Sequence, residues 1–273
     1  MMKGTPMNKL GLLDPTPGAV RLRLASYVNF RQLAIPPPEF GHYKMIKDWK
    51  MLANDKYGCC AWTGGEHMSM MFCAETHRSA PFSDASTLKN YASTGFRLLG
   101  PDGQPWPIDP STGEPDNPTD AGTGIDDLAK HWRKTGLVDD TGHRHKIIAY
   151  LDMNPGDLRE LWLATWLFQA TGMGFALPQS AQEQTAQGLT WDYVAGSPIV
   201  GGHFVPNFGR TGAAGLGVGV SWDKVQPFTG RFYQRFNNQG IVVLTQEAFI
   251  RAKTIDGVDD VMLADDLKQI TAV

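Results

Sequence analysis

The spacing of apolar and polar residues divides the chain into a helical first half and a strand-rich second half. Apolar or small residues that recur about every three to four positions mark one face of a helix. Such helices are predicted at 60–78, 85–98, 124–137 and 155–172. Apolar runs and alternating patterns predict strands at 145–153, 174–178, 201–210, 215–225 and 231–249, the last as a hairpin and strand. Helices followed by strands indicate an α+β fold with a cleft between the halves.

Glycine and proline set the expected boundaries of these elements. Gly136 ends the third predicted helix, and Pro155 and Gly172 stand near the start and at the end of the fourth. The stretches 100–124 and 179–200 show no helical or strand period and are predicted to be loops.

The chain is predicted to form one main domain at 45–250, between an extended arm and a short tail. Residues 1–44 are rich in proline and contain little that could build a core of their own. Their apolar side chains must therefore be buried against the main domain or against a partner. These side chains are Leu10, Leu12, Leu13, Val20, Leu22 and Leu24. Residues 251–273 form a tail with a weak terminal helix.

Composition restricts the possible partners. The net charge is −3 and the longest basic run is the HRHK of residues 143–146, so binding to nucleic acid or to an anionic membrane is not expected. No apolar stretch reaches the ~18 residues of a membrane-spanning helix, and the N-terminus lacks the apolar core of a signal peptide. No cofactor is expected, and no metal site is predicted because His143 and His145 have no third ligand at a fixed spacing.

The chain has three cysteines, Cys59, Cys60 and Cys73, and two of them are adjacent. On one helix, Cys60 and Cys73 would lie roughly 20 Å apart at ~1.5 Å per residue, beyond the ~7 Å limit of a disulfide. A bond between the neighbours Cys59 and Cys60 would be strained. We therefore expect three thiols in a reducing environment.

Cys60 occupies the first turn of its predicted helix. There the positive end of the helix dipole and the unpaired backbone N–H groups favour the thiolate, which is the nucleophilic form. A catalytic thiolate also needs a base, and His203 is the candidate because the two glycines before it leave room for a close approach. His67, two turns further along the helix, is expected to be a packed core histidine.

Several separated segments resemble papain-like cysteine proteases in the same order. Asn54 stands six residues before Cys60, where that family has its oxyanion-hole glutamine. Cys60-Ala-Trp resembles the family's Cys-Trp-Ala, and His203-Phe-Val-Pro-Asn-Phe-Gly resembles its His-Ala-Val-x-x-Val-Gly. Ser221-Trp222 resembles the Ser-Trp of its Asn-Ser-Trp-Gly. The resemblance implies a papain-like fold, with the cysteine helix in the helical half and an antiparallel sheet in the other half.

A group of uncharacterised papain-fold proteins from phages and prophages is more similar still. Its members carry a segment of the form W-x-M-L-x-N-D-x-x-G-D-C, followed by a G-G-H strand. The matching residues here are Trp49, Met51, Leu52, Asn54, Asp55, Gly58 and Cys60. The resemblance extends over roughly residues 45–250, with 232–236 where the papain family has its closing strand.

Two positions depart from these patterns. The papain family orients its catalytic histidine with an asparagine before Ser-Trp-Gly; here Val220 replaces the asparagine and Asp223 the glycine. Ser221 or Asp223 could contribute instead, since alternate residues of a strand share a face. Cys59 stands where the phage group has aspartate, so Cys60 is preferred as the nucleophile.

These features support two functional hypotheses. In one, the protein is a cysteine peptidase or amidase: Cys60 attacks a peptide or amide substrate, His203 transfers the proton, and Asn54 with the Cys60 backbone N–H stabilises the oxyanion. In the other, it is a virion-associated structural or minor protein that contacts other phage structural proteins through its arm. The incomplete triad favours the second hypothesis, which places the protein in the virion or in the host cytoplasm.

Overall fold

The structure is a computed structural model that describes residues 8–17, 21–31, 33–111, 113–212, 214–246, 261, 262 and 265. Over these residues the fold is α+β, with the cysteine-bearing helix in an N-terminal helical half and an antiparallel sheet in the C-terminal half. The fold class predicted from the sequence is confirmed.

The helices within the described residues begin with the one that carries Cys60. They are α1 (Cys60–Glu75), α2 (Asp84–Tyr91), α3 (Ile125–Lys134), α4 (Leu158–Phe168), α5 (Gln179–Ala186) and α6 (Gly230–Phe236). Side chains cap three of these helices: Ser83 and Ser86 form a reciprocal capping box at α2, Asp157 accepts two backbone N–H groups at α4, and Thr229 caps α6.

The strands form one small and one large antiparallel sheet. The strands are β1 (Leu137–Val138), β2 (Arg144–His145), β3 (Ala149–Asp152), β4 (Thr171–Pro178), β5 (Ile199–Thr211), β6 (Leu216–Ser221), β7 (Lys224–Phe228) and β8 (Asn237–Leu244). β1 pairs with β2, and the large sheet has the order β3-β8-β4-β5-β6-β7. The long central strand β5 therefore has partners on both sides.

Three predicted elements differ in the structure. Residues predicted as a loop after position 178 form α5, whose polar sequence gives little local signal and whose Ala181 is fully buried. Gly172 does not end a helix, because α4 already ends at Phe168 and Gly172 lies within β4. In both places tertiary packing decides the conformation where local propensity is weak.

The segment expected to be the closing strand is instead the helix α6. Phe232, Tyr233 and Phe236 are buried at helical spacing, and Thr229 caps the helix by accepting the Phe232 N–H at 3.0 Å. The predicted strand begins directly afterwards as β8. The terminal helix expected in the tail falls largely outside the described residues.

Core packing on the two faces of the sheet positions α1 against β5. Phe204 and Phe208 of β5 belong to the core around α1, whereas the intervening Val205 belongs to the core around α4 and α6. A Cβ on Gly64 of α1 would lie 2.3 Å from the Phe204 ring, so only glycine allows the helix to approach this closely. This contact brings α1 onto the strand that carries His203.

Candidate active site

The turn before α1 has a backbone that is unusual for its residues. Leu52 and Ala53 have φ values of 52° and 59°, although neither is glycine. Left-handed conformations cost on the order of 1 kcal/mol or more for such residues. Two tertiary hydrogen bonds hold the turn: Thr63 of α1 donates to Leu52 O at 3.2 Å, and Asp84 of α2 accepts the Ala53 N–H at 2.9 Å. The segment containing Asn54 is thereby fixed relative to both helices.

The two adjacent cysteines have different surroundings. Cys59 is the N-cap residue of α1, and its Sγ lies 3.6 Å from Leu52 O and 3.7 Å from Thr63 Oγ1. It is a packed thiol on the side of the preceding turn. Cys60 is approached instead by the backbone N–H groups of Phe204 and Gly11. Cys60 is therefore the cysteine that faces the strand carrying His203.

Burial sets the protonation state of Cys60. The residue is 1% exposed, and burial raises the pKa of its thiol to about 11, although the N–H groups of Phe204, Gly11 and Ala61 act in the opposite direction. The sequence predicted a thiolate stabilised by the helix terminus. That prediction is wrong for this conformation, because desolvation of the charge outweighs the hydrogen bonds.

The side chain of His203 lies on the face of the sheet away from α1, because its strand partner Phe175 belongs to the core around α4 and α6. Its Nε2 lies 2.9 Å from Ser221 Oγ, and its ring stacks on Trp222 with 4.6 Å between centroids. Its Nδ1 is buried without a hydrogen-bond partner among the described residues. Burial lowers the pKa of His203 to about 3, so the ring is neutral at neutral pH. A neutral ring that donates its Nε2 proton to Ser221 keeps a lone pair on Nδ1, as a general base requires.

The structure separates the candidates for the residue that orients His203. Ser221 ends β6 with its hydroxyl on the imidazole. Val220 points to the opposite face and is buried in the core around α1. Asp223 is exposed in the turn between β6 and β7, and its charge acts on the buried His67. Of these candidates, the structure brings Ser221 to His203.

Asn54 lies buried in the turn that precedes α1. Its Nδ2 donates a hydrogen bond to Tyr57 O at 3.1 Å. An amide nitrogen carries two protons, so this bond leaves the second one for a ligand. The bond fixes the amide near the start of α1 but does not by itself place it on Cys60.

Residues 10–13, called the cleft segment below, lie between the two halves. Gly11 and Leu12 donate their backbone N–H groups to Gly202 O at 3.2 and 3.0 Å. On the other side, the Thr123 N–H donates to Gly11 O at 2.8 Å. The cleft segment thus bridges the residue before His203 and the helical half of the protein.

Glycines make this close approach possible. A Cβ on Gly11 would lie 2.0 Å from Gly58 O, and a Cβ on Gly202 would lie 2.0 Å from Leu12 O. Because the Gly11 backbone N–H lies near enough to act on the pKa of the Cys60 thiol, the cleft segment is a neighbour of the buried thiol. The sequence analysis missed this contact; the glycines on both sides were the available signal, but their partners are distant in the chain.

Other described residues of the arm also pack on their own domain. Leu24 is fully buried, and the Leu22 carbonyl accepts the Asp152 N–H at 2.8 Å. Arg21 forms ion pairs with Asp152, at 3.1 Å, and with Asp126.

The sequence allowed two destinations for the apolar side chains of the arm, and the structure shows their own domain for Leu12 and Leu24. Leu13 is exposed, and Val20 lies outside the described residues.

Within the described ranges, no group of three or more His, Cys, Asp or Glu side chains is arranged to hold a metal ion. His143 and His145 are neighbours, with ring centroids 4.7 Å apart. None of the helices in the described part of the chain combines the length and apolar character needed to cross a membrane.

Solved structures with a similar fold include cysteine proteases. Xylellain, a cysteine protease from Xylella fastidiosa, has a TM-score of 0.63 at 13% identity, over 90% of this chain and 99% of that chain. The ragweed pollen allergen Amb a 11, a cysteine protease in its proform, has a TM-score of 0.51 at 13% identity, over 80% and 69%. Procathepsin B from Trypanosoma congolense has a TM-score of 0.51 at 9% identity, over 88% and 87%. No protein-family model and no curated protein sequence matches the chain.

These comparisons define the class of fold. At such low identities they show a papain-like α+β fold and, at the level of that fold, a likeness to cysteine peptidases. None of the structures named here is a phage protein, so the relationship to the phage group stays a prediction.

Proposed function

We propose that this protein is a cysteine peptidase or amidase whose resting form carries its own cleft segment in the substrate site. The observation that carries the proposal is the meeting of α1 and β5. The Phe204 backbone N–H lies near enough to lower the pKa of the Cys60 thiol. The preceding residue, His203, lies with its Nε2 2.9 Å from Ser221 Oγ, and in this resting form its ring faces away from α1. A nucleophile, a base and a group that orients the base are the parts that acyl transfer requires.

The proposed reaction proceeds through a thioester. In the proposed reaction the His203 ring, which faces away from α1 in the resting form, first turns toward Cys60. His203 Nδ1 then takes the Cys60 proton, and Sγ attacks the carbonyl carbon to give a tetrahedral oxyanion. When that intermediate collapses, the C–N bond breaks and the leaving amine takes the proton from the imidazolium. Water then attacks the thioester with His203 again acting as base, which releases the carboxylic acid and restores the thiol.

Two groups near the start of α1 are suited to the oxyanion. Backbone N–H groups in the first turn of a helix have no partner within the helix, so the Cys60 N–H is available. The second amide proton of Asn54 is the other proposed donor. Donors fixed before the reaction stabilise charge without reorganisation, and losing one typically costs ~10²–10³ in kcat.

The cleft segment indicates the form of the substrate. It lies in the cleft as backbone that donates N–H groups to Gly202 O and accepts one from Thr123. An extended peptide offers the same groups, so we propose a peptide chain as the substrate class. Substrate must displace the segment, and Cys60 then regains water, which lowers the pKa of its thiol.

The alternative role in a phage particle lacks comparable support. That hypothesis expected the arm to contact neighbouring subunits, whereas Leu12 and Leu24 are buried against their own domain. Burial within one chain is what an enzyme that acts alone requires. The phage partners and the location in a virion or host cytoplasm remain predictions without a structural observation in their favour.

The experiment is peptide hydrolysis by the full chain carrying Gly11→Ala, which displaces the cleft segment. A mixture of fluorogenic peptide amides should be cleaved, and adding Cys60→Ala or His203→Gln should abolish cleavage. Cys73→Ala is the matched control, since Cys73 lies on the same helix but outside the site, and should leave cleavage unchanged. Cleavage that persists in the Cys60→Ala variant would overturn the proposal. So would a folded Gly11→Ala protein that cleaves no peptide although its Cys60 reacts with iodoacetamide.

A further inference from the structure

A cysteine–histidine–carboxylate group lies at the other end of α1 from Cys60. Cys73 Sγ is 3.5 Å from His145 Nδ1, and His145 Nε2 is 2.9 Å from Asp139 Oδ2. At ~1.5 Å per residue, Cys73 lies roughly 20 Å along the helix from Cys60. The group is therefore separate from the proposed peptidase site. A thiol, a base and a carboxylate in this order form the arrangement that activates a nucleophile.

Hydrogen bonds from neighbouring residues fix the orientation of the Asp139 carboxylate. Its Oδ1 accepts the Thr141 N–H at 2.9 Å, the Thr141 hydroxyl at 2.6 Å and the His143 N–H at 3.1 Å. Oδ2 is left to accept the Nε2 proton of His145. That bond selects the tautomer in which Nδ1 carries the lone pair, on the side of Cys73.

The protonation states suit proton transfer from the thiol. Burial acts to raise the pKa of Asp139, but hydrogen bonds from Thr141 and His145 outweigh it and the pKa lies below its ordinary value. Burial lowers the pKa of His145, and the bond to Asp139 opposes this only in part. At neutral pH the pair is thus a carboxylate and a neutral imidazole, which can accept the Cys73 proton.

The group opens into a cavity with cationic walls. The cavity has a volume of about 740 Å³, within the range of small-molecule sites. Its described lining includes Arg78, Arg144 and Lys146, and the only lining carboxylate among the described residues is that of Asp139. Cys73 keeps 9% of its surface exposed, compared with 0% for Cys59 and 1% for Cys60.

We propose that Cys73, His145 and Asp139 form a thiol-exchange site that reacts with small disulfides bearing carboxylates. The cationic walls provide attraction for such anions. Acyl transfer is less suited to this place, because Cys73 lies in the last turn of α1, whose carbonyl end is the negative end of the dipole. The same end of the helix disfavours a Cys73 thiolate, so the exchange depends on His145 as the base. Unlike acyl transfer, disulfide exchange needs no N–H donors for an oxyanion.

Thiol–disulfide exchange at Cys73 needs no oxidant or reductant other than the small disulfide itself. Cys73 Sγ gives its proton to His145 Nδ1 and attacks one sulfur of the disulfide. A new S–S bond forms, the bond within the small disulfide breaks, and the departing thiolate takes the proton from His145. Cys73 is oxidised to a mixed disulfide, and half of the small molecule is reduced to a thiol.

The test compares two disulfides of opposite charge on the intact protein. Oxidised glutathione carries carboxylates, and cystamine carries ammonium groups. Peptide mass spectrometry should show a glutathione mixed disulfide on Cys73, formed at least tenfold faster than the cystamine product, with Cys59 and Cys60 unmodified. Equal rates, faster reaction with cystamine, or no product on Cys73 would overturn the proposal without any variant being needed.

Two substitutions separate an activated thiol from an accessible one. His145→Gln keeps an amide that can reach Asp139 but removes the base, and should slow modification of Cys73 at least tenfold. Arg144→Gln should slow glutathione at least threefold and leave cystamine unchanged. Both variants are checked by circular dichroism. Unchanged rates in folded His145→Gln protein would mean that Cys73 reacts only because it is exposed, and the proposal would fall.

Discussion

Gly11 and Gly58 are in backbone contact so close that a Cβ on Gly11 would lie 2.0 Å from the Gly58 carbonyl oxygen. Gly58 stands two residues before Cys60, and the Gly11 backbone N–H lies near enough to lower the pKa of the Cys60 thiol. The cleft segment is thus locked next to the proposed nucleophile by a contact that tolerates no side chain. A single methyl group at position 11 is the smallest change that should release it.

Gly11→Ala should increase the reactivity of Cys60. Burial raises the pKa of this thiol to about 11 in the resting form, and hydration moves it down toward the ordinary value of ~8.5. The thiolate fraction near neutral pH should therefore rise, by roughly 10- to 100-fold for a fall of one to two pKa units. The rate of iodoacetamide labelling of Cys60, followed by peptide mass spectrometry between pH 6 and 10, measures the change.

Leu13→Ala is the control for this substitution. Leu13 belongs to the same segment, but its side chain is exposed. Its truncation should leave the labelling rate within about twofold of the wild-type rate. If Gly11→Ala protein is folded and Cys60 remains as unreactive as before, the cleft segment is not the element that protects the thiol.

Ser221→Ala should weaken catalysis without affecting substrate affinity. The hydroxyl makes the hydrogen bond to His203 Nε2, so its loss leaves the ring without that orienting partner. We expect kcat in the Gly11→Ala background to fall about 10- to 100-fold, with KM changed by less than about threefold. Asp223→Ala is the matched control, because this carboxylate is exposed in the adjoining turn. A larger loss from Asp223→Ala than from Ser221→Ala would exchange their roles.

Val220→Asn should destabilise the protein rather than complete the triad. From the sequence alone, position 220 corresponds to the family's asparagine. In the structure its side chain is buried in the core around α1, on the face opposite Ser221. A buried amide without partners costs about 1–3 kcal/mol or more, measurable by urea unfolding. An increased hydrolysis rate at unchanged stability would show that the strand register differs from that described.

A buried carboxyl group links α1 to α2. Glu66 is fully buried, and its Oε1 accepts the Asn90 amide at 2.8 Å. The Thr87 hydroxyl lies 2.5 Å from Glu66 Oε2 and 2.9 Å from Ser83 O. The Thr87 hydroxyl has one proton for these two oxygens. If that proton goes to the Ser83 carbonyl, Glu66 must itself be protonated and donate to the Thr87 oxygen. Burial raises the pKa of Glu66 to about 8, in agreement with a neutral carboxyl at pH 7.

Glu66→Gln should make folding stability less dependent on pH. Because the folded pKa lies above the unfolded value of ~4.3, the stabilising contribution is complete below that value and is lost as pH rises through about 8. The wild-type free energy of unfolding should fall relative to that of the variant by up to ~1.4 kcal/mol per pH unit in this window. Glutamine retains both hydrogen bonds of the protonated acid and does not titrate.

Urea unfolding at pH 5, 6.5 and 8 checks this prediction. Glu183→Gln, at an exposed position of α5, should follow the wild-type curve throughout. If the free-energy difference between wild type and Glu66→Gln is constant with pH, Glu66 titrates in the folded protein as it does in the unfolded chain.

Local pattern was sufficient for the elements that bury a regular apolar face. The α1 helix begins at Cys60 as expected, and the order of helices followed by an antiparallel sheet is confirmed. Periodicity carries this information because the repeat of a helix or a strand determines which residues share a face. It failed at α5 and α6, where weak propensity or a mixed aromatic run left the choice to tertiary packing.

The sequence was enough to propose residues for the site, but it did not predict which of these residues are in contact. Motif spacing proposed Cys60, His203 and Asn54. Only the structure shows that Ser221, and not Val220, contacts the His203 ring, because the two residues lie on opposite faces of β6. Contacts between the cleft segment and Gly202 join residues almost two hundred positions apart. Burial likewise reversed the expected charge of Cys60, because the desolvation that raises its pKa comes from distant segments. The protonation state of the Cys60 thiol and its burial by the cleft segment both depend on residues that are distant in the chain. The local sequence around Cys60 does not specify which residues those are.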